Sequence, residues 1–513
     1  MRMSPVSDLV VVGAGPTGLT LALHASMMGA KVRILERRTE PSTRAPALAV
    51  HPRTMEILRG LGVAEELLTR GLSKVDLAIH SRDPTIEGSL GELHLPATEF
   101  PFVFFAPQPE VEAVLRRSLE AVGVSVEWGA DFRGWETNEG RIVSRFDMEG
   151  EEQHIDSHHL AGCDGADSTV RRETGIRFRG RRYRESILIA DATTNGDLES
   201  GTLHAFLGAK GILFFFPLPS GAWRVIGPWQ GVETPAGAKA LIERQTYGQV
   251  DVVDIEWVQV VRPQHRMADT YRRENVFLAG DAAHVHSPAG AQGMNTGIGD
   301  AANLGWKIGL AIRGAPDSLL DSYEMERRPV ARQVVRLTGL AFALEVSQFA
   351  PLRWGRSLAA RPVASLLLPR PRLVSTVARM VSGLDTRYRH GALDGDRVSS
   401  RYGSGRRLPD GLVDDGGVSR VHHLLDARSF HLLVLHDSVD ASPLERLAKT
   451  HQEIVTIDRF GPASASDRRR PAWVLVRPDG YIATSGDDHA IDRAELYLRR
   501  WLGDQSPAAR STL

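Results

Sequence analysis

A short apolar strand followed by a glycine-rich turn opens the chain and constrains its fold more than any other feature. The apolar run Leu9–Val12 leads into GAGPTG at positions 13–18, and a helical pattern then continues to about Met28. A second strand, Lys31–Leu35, ends at Glu36, which lies 36 − 13 = 23 positions after the first glycine. This order of strand, turn, helix, strand and acid predicts a βαβ unit that binds a dinucleotide.

The glycines of this turn have separate expected roles. Gly13 makes the tight turn, Gly15 lets the backbone approach a pyrophosphate, and Gly18 allows close packing of helix on strand. Glu36 stands where a carboxylate takes the ribose hydroxyls of an adenosine. The turn alone does not separate NAD from FAD.

A second segment, Gly280–Lys307, has the same order of strand, glycine-rich turn and helix, but a different turn. Gly-Asp follows the apolar run Val276–Ala279, a loop of proline, glycine and small residues comes next, and apolar residues then recur at helical spacing. Asn295 or Thr296 is the expected cap of that helix. A strand, a glycine-rich turn and a helix N-terminus together predict a site for a negatively charged group.

Length and composition limit the remaining possibilities. A chain of 513 residues with 42% hydrophobic residues suggests roughly three globular domains. Its net charge of −1 gives no general attraction to nucleic acid or to an anionic membrane. The single cysteine, Cys163, rules out an internal disulfide and suits a reducing cytoplasm. We expect neither a transmembrane span nor a signal peptide, and therefore a cytoplasmic protein.

The segment GDAAHVHSPAGAQGMNTGIGDAANLGWK resembles the second flavin-binding segment of the class A flavin-dependent aromatic hydroxylases. The resemblance implies that Asp281 holds the ribityl chain of FAD and that the proline-containing loop lines the isoalloxazine ring. It also implies that the helix N-terminus points at the N1/C2=O end of the ring and stabilises the reduced flavin anion.

Three further motifs resemble the same family. Thr43–Ala45 resembles a segment whose arginine lies against the flavin, Gln108 matches a glutamine that contacts the ribityl chain, and CDGADSTVR resembles the family's DG motif. In that motif, the aspartate and arginine organise the region between the flavin and the nicotinamide cofactor. The resemblance implies the following cofactor-binding residues: Gly13, Ala14, Gly15, Pro16, Thr17, Gly18, Glu36, Arg37, Arg44, Gln108, Asp164, Asp281, Pro288, Gly290, Gly293, Met294 and Asn295.

Between Phe178 and about Arg262 the sequence changes to strands with tight turns. GILFFFP at 211–217 and the strand from Trp223 flank a Pro-Ser-Gly turn and predict a hairpin. The region resembles the family's substrate-covering sheet, and Phe214, Phe216 and Trp223 are candidates to line a pocket for a flat aromatic ligand. Only alternate positions of a strand face one side, and the sequence does not fix the register, so core packing stays open for each.

The predicted fold is an α/β Rossmann-type FAD-binding domain interleaved with a mixed β-sheet substrate domain, followed by a thioredoxin-like domain. The tail has no Cys-x-x-Cys, which excludes a dithiol redox role. The expected boundaries are 1–71, 101–177 and 263–350 for the FAD-binding domain, 72–100 and 178–262 for the substrate domain, 351–393 for a helical connector, and 394–513 for the C-terminal domain.

The resemblance also implies a reaction. Since only one dinucleotide fingerprint is present, NADPH or NADH must bind transiently in a groove without its own Rossmann unit. The implied course is hydride transfer from NAD(P)H to FAD, addition of O2 at C4a, and oxygen transfer from the hydroperoxyflavin to a phenolic substrate. The residues do not identify a catalytic base, and no metal site is predicted.

The length and the tail lacking a dithiol resemble hydroxylases of polycyclic aromatic polyketides. The alternatives are hydroxylation of a single-ring phenolic acid, Baeyer–Villiger-type ring oxidation, and a non-catalytic flavin-fold protein that binds a ligand. The expected partner is a small aromatic molecule, with no nucleic acid and no membrane, and the expected state is a monomer or homodimer.

Overall fold

A computed structural model describes most of the chain. The described residues are 6–502, except for 82–84, 91–92, 96, 197, 209–210, 347–361, 363–364, 367–369, 393–401, 412–419, 436–438 and 461–470. Of the predicted connector, residues 351–361, 363–364, 367–369 and 393 lie outside the described residues, as do residues 394–401 at the start of the predicted C-terminal domain.

The first third of the chain begins with the predicted βαβ unit. Pro16 stands in the first turn of its helix, where a missing backbone N–H costs nothing. In order, the elements are β1 (Ser7–Val12), α1 (Pro16–Met27), β2 (Val32–Glu36), β3 (Ala49–Val50), α2 (Pro52–Gly60), α3 (Ala64–Leu68), β4 (Asp76–His80), β5 (Ile86–Ser89), β6 (Phe104–Phe105), α4 (Gln108–Ala121), β7 (Val126–Trp128), β8 (Asp131–Asn138), β9 (Arg141–Met148), β10 (Glu151–Gly162) and α5 (Thr169–Glu173).

The middle of the chain is mainly β-structure. Its elements are β11 (Phe178–Arg182), β12 (Ser186–Thr194), β13 (Thr202–Gly208), β14 (Gly211–Pro217), β15 (Trp223–Trp229), α6 (Pro235–Gln245) and β16 (Val252–Val261). The predicted hairpin is confirmed, because β14 pairs antiparallel with β15.

The chain then returns to the first region and ends in a smaller α/β unit. The elements are β17 (Gln264–Ala268), β18 (Arg272–Arg273), β19 (Val276–Leu278), β20 (His284–Val285), α7 (Gln292–Ala311), α8 (Asp317–Val346), α9 (Pro371–Val381), β21 (Phe430–Val434), α10 (Ala441–His451), β22 (Val455–Arg459), β23 (Trp473–Val476), β24 (Ile482–Gly486) and α11 (Asp492–Leu502). Short 3-10 turns cover Gly280–Ala282, Ala289–Ala291 and Val421–His423.

The large sheet has the order β18-β19-β10-β1-β2-β7, with β8 and β9 extending from β10. Its central strands β19, β10, β1, β2 and β7 run parallel, so their carboxyl ends share one edge. Gly13 follows β1, Cys163 follows β10, and the Gly280 turn follows β19. The three glycine-containing turns singled out in the sequence therefore lie at one edge, where open α/β sheets bind ligands.

The second sheet has the order β16-β12-β15-β14-β13-β4-β5. Helix α6 covers one face and forms a core with it that includes Leu188, Phe206, Phe215 and Ile242. The other face looks toward the first region, where Phe214 and Phe216 pack beside Phe105. A three-stranded sheet, β11-β17-β20, lies beside the Gly280 turn.

The C-terminal sheet has the order β22-β21-β23-β24, with β21 and β22 parallel and the others antiparallel. Helices α10 and α11 pack on it, and the hairpin β23–β24 turns at Pro478–Gly480. The mixed α/β architecture with a thioredoxin-like end is confirmed. Among the helices that the structure describes, none is long and apolar enough to cross a membrane.

Candidate functional site

The three glycines of the first turn have different surroundings. Gly13 has φ = +104°, and a Cβ there would lie 2.4 Å from the carbonyl oxygen of Cys163. A Cβ on Gly18 would lie 1.9 Å from the carbonyl oxygen of Gly13. A Cβ on Gly15, in contrast, would meet nothing within 4 Å. Gly13 and Gly18 are therefore required by packing, whereas Gly15 borders open space at the N-terminus of α1.

Thr17 connects the two glycine segments. Its Oγ1 atom lies 2.5 Å from the position of a Cβ on Gly280 and 2.2 Å from that of a Cβ on Gly297. Helix α1 therefore packs directly on the Gly280 turn and on α7. The predicted neighbours Ala14 and Pro16 lie in the same turn and are buried.

Glu36 ends β2 beside this turn and is largely buried. Its carboxylate accepts hydrogen bonds from the backbone N–H of Ala14 at 2.8 Å and from the backbone and side chain of Arg38, both at 3.1 Å. Burial raises the pKa of Glu36, but these hydrogen bonds outweigh burial and lower it overall. The predicted residue Arg37 is exposed, and Arg38, which sequence reasoning did not single out, is the one that pairs with Glu36.

Asp281 lies in the 3-10 turn that follows β19. Solvent reaches its side chain, although the surrounding protein desolvates the carboxyl group and raises its pKa. Such a group lies in the wall of an open cleft, where a hydroxyl-bearing ligand can donate to it.

A buried carboxylate of α7, Asp300, holds the Asp281 turn. Asp300 accepts hydrogen bonds from the backbone N–H of Gly280 at 3.1 Å, from His284 Nε2 at 2.6 Å and from Arg327 Nε at 2.7 Å. Burial raises the pKa of Asp300, but the charges of His284 and Arg327 lower it overall. Sequence reasoning quoted this aspartate only within a motif and did not pair it with Arg327 of α8.

The loop before α7 contains two left-handed residues, Gly290 with φ = +74° and Ala291 with φ = +51°. Helix α7 then begins at Gln292 without a side-chain cap. The predicted cap at Asn295 or Thr296 is therefore wrong, because the helix starts three residues before Asn295. The first backbone N–H groups of α7 remain available to an acceptor, as helix N-termini are.

Asn295 instead ties this loop to the strand β3. Its Nδ2 donates to the carbonyl oxygens of Ala49 at 2.9 Å and Ala291 at 2.7 Å, and its Oδ1 accepts from the backbone N–H of His51 at 2.8 Å. The other predicted ring contacts lie in the same loop and first turn: Pro288 and Gly290 are exposed, Gly293 is half-buried and Met294 is buried.

The DG motif lies beside both glycine turns. Asp164 Oδ2 accepts from the backbone N–H groups of Thr169 at 2.6 Å and Val170 at 3.1 Å, so this aspartate caps α5. Its Oδ1 is buried and has no hydrogen-bond partner in the described structure, and burial raises its pKa. Arg171 donates to the carbonyl oxygen of Ala282 at 2.7 Å and so fixes the motif to the Asp281 turn.

Arg44 and Gln108 lie at the boundary with the second sheet. Arg44 is exposed and donates to the carbonyl oxygen of Glu256 on β16 at 2.6 Å. The half-buried Gln108 donates from Nε2 to Glu112 at 2.7 Å and from its backbone to the carbonyl oxygen of Ala47 at 3.0 Å. Both predicted residues therefore support the 44–47 loop.

The register of the second sheet separates the three candidate substrate residues. Phe214 and Phe216 pack with Phe105 on the face toward the first region. Trp223 lies on the opposite face, 5% exposed, within the core under α6. The candidate role of Trp223 as a pocket residue is therefore corrected to core packing, since pairing with Pro217 directs its side chain away from the cleft.

The far half of α7 is anchored by a buried ionic network. Glu326 accepts from Lys307 at 2.9 Å, from Asn303 at 2.6 Å and from both Nη atoms of Arg477 at 2.8 Å. Burial raises the pKa of Glu326, but Arg477 and Lys307 lower it to about 2 overall, while burial lowers that of Lys307 to about 8. Asn303 also donates to Asp479 at 3.1 Å. The β23–β24 hairpin thus reaches the helix that starts at the cleft.

These residues fit an extended dinucleotide such as FAD. Open space lies over Gly15 at a helix N-terminus, a solvent-reached carboxylate stands at Asp281, and Asp164 carries a buried oxygen without a donor. Phosphate, ribityl hydroxyls and a ring with acceptor atoms would complement such groups. The first helix, the DG motif and α7 meet at this cleft, whereas Trp223 does not reach it.

A family model described as FAD binding domain matches residues 6–338, and one described as Aromatic-ring hydroxylase, C-terminal, matches residues 402–505. The chain is 33% identical to 6-methylpretetramide 4-monooxygenase of Streptomyces rimosus, over 94% of this chain and 92% of that protein. It is 32% identical to pentachlorophenol 4-monooxygenase of Sphingobium chlorophenolicum, over 97% of this chain and 90% of that protein.

A solved structure agrees in fold over nearly the whole length. The anhydrotetracycline hydroxylase OxyS from Streptomyces rimosus superposes with a TM-score of 0.79 at 29% sequence identity, covering 97% of this chain and 99% of that one.

Proposed function

The chain belongs to the FAD-dependent aromatic-ring hydroxylases, and from this premise we propose that it hydroxylates a phenolic substrate of the polycyclic polyketide type at the expense of NAD(P)H. The observation that carries the proposal is the contact of Thr17 with both Gly280 and Gly297, which brings the two glycine segments together at one cleft. The names of two similar proteins, which act on pretetramide and anhydrotetracycline, support the polycyclic class.

Four groups of this chain would hold FAD. Gly15 and the N-terminus of α1 suit the pyrophosphate, Glu36 the adenosine ribose, Asp281 the ribityl hydroxyls, and the N-terminus of α7 the pyrimidine end of the ring. When bound, FAD supplies the redox chemistry, accepting hydride from NAD(P)H and activating O2. The uncapped N-terminus of α7 favours negative charge on the ring by about 0.3–1 kcal/mol.

The protein's own contribution to the reaction is orientation and exclusion of water. Phe214 and Phe216 belong to an apolar cluster with Leu48, Phe105 and Ala291, which joins the second sheet to the loop before α7. A flat aromatic ring packs against such side chains, and an apolar wall keeps water from the reacting atoms. Ala291 in this cluster is the residue immediately before α7, so the apolar wall and the proposed ring site are contiguous.

A second candidate is hydroxylation of a single-ring phenol. The similarity to pentachlorophenol 4-monooxygenase, which covers 97% of this chain, favours it. The two candidates differ only in the size of the substrate that the cleft accepts.

The experiment that tests the proposal is a substrate panel on purified, FAD-containing protein. Mono-, tri- and tetracyclic phenols are incubated with NADPH and O2, and products are scored by a mass gain of one oxygen and by peroxide release. We expect the polycyclic phenols to give oxygenated product with little peroxide. Preference for single-ring phenols would select the second candidate, and protein that takes up no FAD would reject both.

We also propose that the chain divides into domains at the boundaries given above and works in the cytoplasm as a monomer or homodimer. The sheets support this division, since β4, β5 and β12–β16 form one sheet apart from the large one. Size-exclusion chromatography with light scattering distinguishes a monomer or dimer from larger assemblies.

A further inference from the structure

The segment 177–184, which contains strand β11, concentrates positive charge. The sequence RFRGRRYR at 177–184 contains five arginines and no acid, in a chain whose net charge is −1. Arg179, Arg181, Arg182 and Arg184 are all exposed. A solvated strand edge often carries charge, but such charge is usually paired with neighbouring carboxylates.

The compensation of this charge is incomplete. Arg177 and Arg179 share one carboxylate, that of Asp269, at 2.9 and 2.6 Å. Arg181, Arg182 and Arg184 form no ion pair with any residue that the structure describes. This part of the surface therefore has guanidinium groups without a carboxylate partner among the described residues, and such groups match phosphate geometry.

A neighbouring arginine adds to this excess. Arg266 on β17 has a buried Nε with no hydrogen-bond partner in the described part of the chain. The same arginine lies opposite Gly180 of β11 in the antiparallel register. The basic strand edge thus continues into the sheet.

The position of β11 relates it to the candidate flavin site. In the sheet β11-β17-β20, Arg181 is paired with His265, and Arg266 is paired with Val285 of β20. Strands are spaced by about 4.8 Å, so β11 lies roughly 10 Å from β20. Since β20 lies between the Asp281 turn and Pro288, strand β11 with Arg181 and Arg182 flanks the segment that would hold the flavin, and Arg184 follows two residues after the end of the strand.

The strand is also held firmly in place. Gly180 has φ = +136°, and a Cβ there would lie 1.9 Å from the carbonyl oxygen of His265. Only glycine allows the backbone of β11 to approach β17 this closely. The backbone positions of Arg181 and Arg182 are therefore fixed relative to the cleft, although their exposed side chains can change conformation.

The reaction requires an anionic co-substrate at this cleft, because NAD(P)H must reduce the flavin and the chain has one dinucleotide fingerprint only. We propose that Arg181, Arg182 and Arg184 bind the 2′-phosphate of the nicotinamide dinucleotide, which makes NADPH the preferred reductant. This inference rests on the proposed function. An acidic protein partner is the competing occupant, but proximity to the flavin segment favours a ligand that must reach the flavin.

The test uses the full-length, FAD-containing chain with Arg181→Gln, Arg182→Gln and Arg184→Gln combined. The KM for NADPH and for NADH is measured, and the dissociation constant of adenosine 2′,5′-bisphosphate is measured by calorimetry. We expect both the NADPH KM and the bisphosphate dissociation constant to rise at least about tenfold, since each lost charged hydrogen bond costs roughly that factor. The KM for NADH should rise less than about threefold, because NADH lacks the 2′-phosphate.

The matched control removes the same charge far from the cleft, through Arg446→Gln, Arg499→Gln and Arg500→Gln on the exposed faces of α10 and α11. Equal effects of the two triple variants, or a bisphosphate dissociation constant within about twofold of wild type in the β11 variant, would overturn the inference and favour a protein partner. If wild-type protein binds the bisphosphate through these arginines yet oxygenates no phenol, the proposed function fails and the phosphate site stands.

Discussion

At the residue scale, the first glycine turn separates folding from ligand binding. Gly13 and Gly18 have no room for a Cβ, whereas Gly15 has open space and an extended backbone with φ = −76° that any residue adopts. The sequence motif treats the three glycines alike. The structure shows that only Gly15 can be changed without disturbing the packing of α1 on β1.

Gly15→Ala should therefore lower FAD affinity by about tenfold or more while leaving the thermal midpoint of the apoprotein nearly unchanged, because the methyl group enters the space for the pyrophosphate. FAD binding is measured by fluorescence titration and stability by calorimetry. Gly18→Ala should instead lower the midpoint of the apoprotein, because its methyl group meets backbone. Gly60→Ala, at another glycine with open space, is the neutral control. Unchanged FAD affinity in Gly15→Ala would contradict the assignment.

His24 on α1 should make the protein sensitive to acid. Burial lowers its pKa from 6.5 to about 4, despite a hydrogen bond with the carbonyl oxygen of Ala427 at 3.0 Å. The unfolded chain therefore binds a proton that the folded chain does not, and stability is lost as the pH falls from about 6.5 toward 4. Between pH 6.5 and 5 this amounts to about 2 kcal/mol at most.

His24→Gln should reduce the drop in thermal midpoint between pH 7 and pH 5. The exposed His489→Gln is the control and should leave that drop unchanged. Identical pH profiles for wild type and His24→Gln would show that other groups cause the acid sensitivity.

At the scale of elements, sequence patterns predict the strands and turns that precede the cleft. They do not predict the direction in which a side chain points. The β1–α1–β2 unit and the β14–β15 hairpin follow from periodicity and turn residues. The start of α7 was misplaced because Asn295, a good capping residue, is used to bind Ala49 and His51, which are distant in sequence. The same limit applied to Trp223, because strand register depends on pairing that the sequence alone does not state.

Two substitutions on adjacent strands distinguish the faces of the second sheet. Phe216→Leu should raise the KM for the aromatic substrate about three- to tenfold and increase peroxide release, with little change in stability, because Phe216 is half-buried on the cleft side. Trp223→Leu should cost about 3 kcal/mol of stability and leave the substrate KM unchanged, because Trp223 lies in the core under α6. Steady-state kinetics and urea unfolding provide the two measurements, and the reverse pattern would refute the face assignment.

At the scale of the whole molecule, the C-terminal unit shares a core and a charge network with the first region. Met28, Trp306, Leu310 and Leu319 belong to the same buried cluster as the C-terminal strands and helices. The Arg477–Glu326 pair lies between the hairpin β23–β24 and α8, with both side chains 0% exposed. The sequence could not show this contact, since charged residues are normally exposed.

Arg477→Met should destabilise the protein by about 3–5 kcal/mol, because it leaves Glu326 buried with one fewer cation. Differential scanning calorimetry measures the loss, with Arg446→Met on exposed α10 as the control. The double variant Arg477→Met with Glu326→Gln should recover part of it by removing the stranded charge. A loss below about 1 kcal/mol for the single variant would mean that water or rearranged side chains compensate for Arg477.

The contact of Asp479 with Asn303 and Arg53 has a consequence for building hybrids of such enzymes. A chimera joined at the predicted domain boundary, residue 394, would combine the β23–β24 hairpin of one parent with the surface that it contacts from another. Unless Arg53, Asn303, Lys307 and Glu326 come from the same parent as the hairpin, the hybrid would bury charged side chains without their partners. Exchange of tails between relatives should therefore succeed only when these positions are transplanted together, however well the two surfaces match in shape.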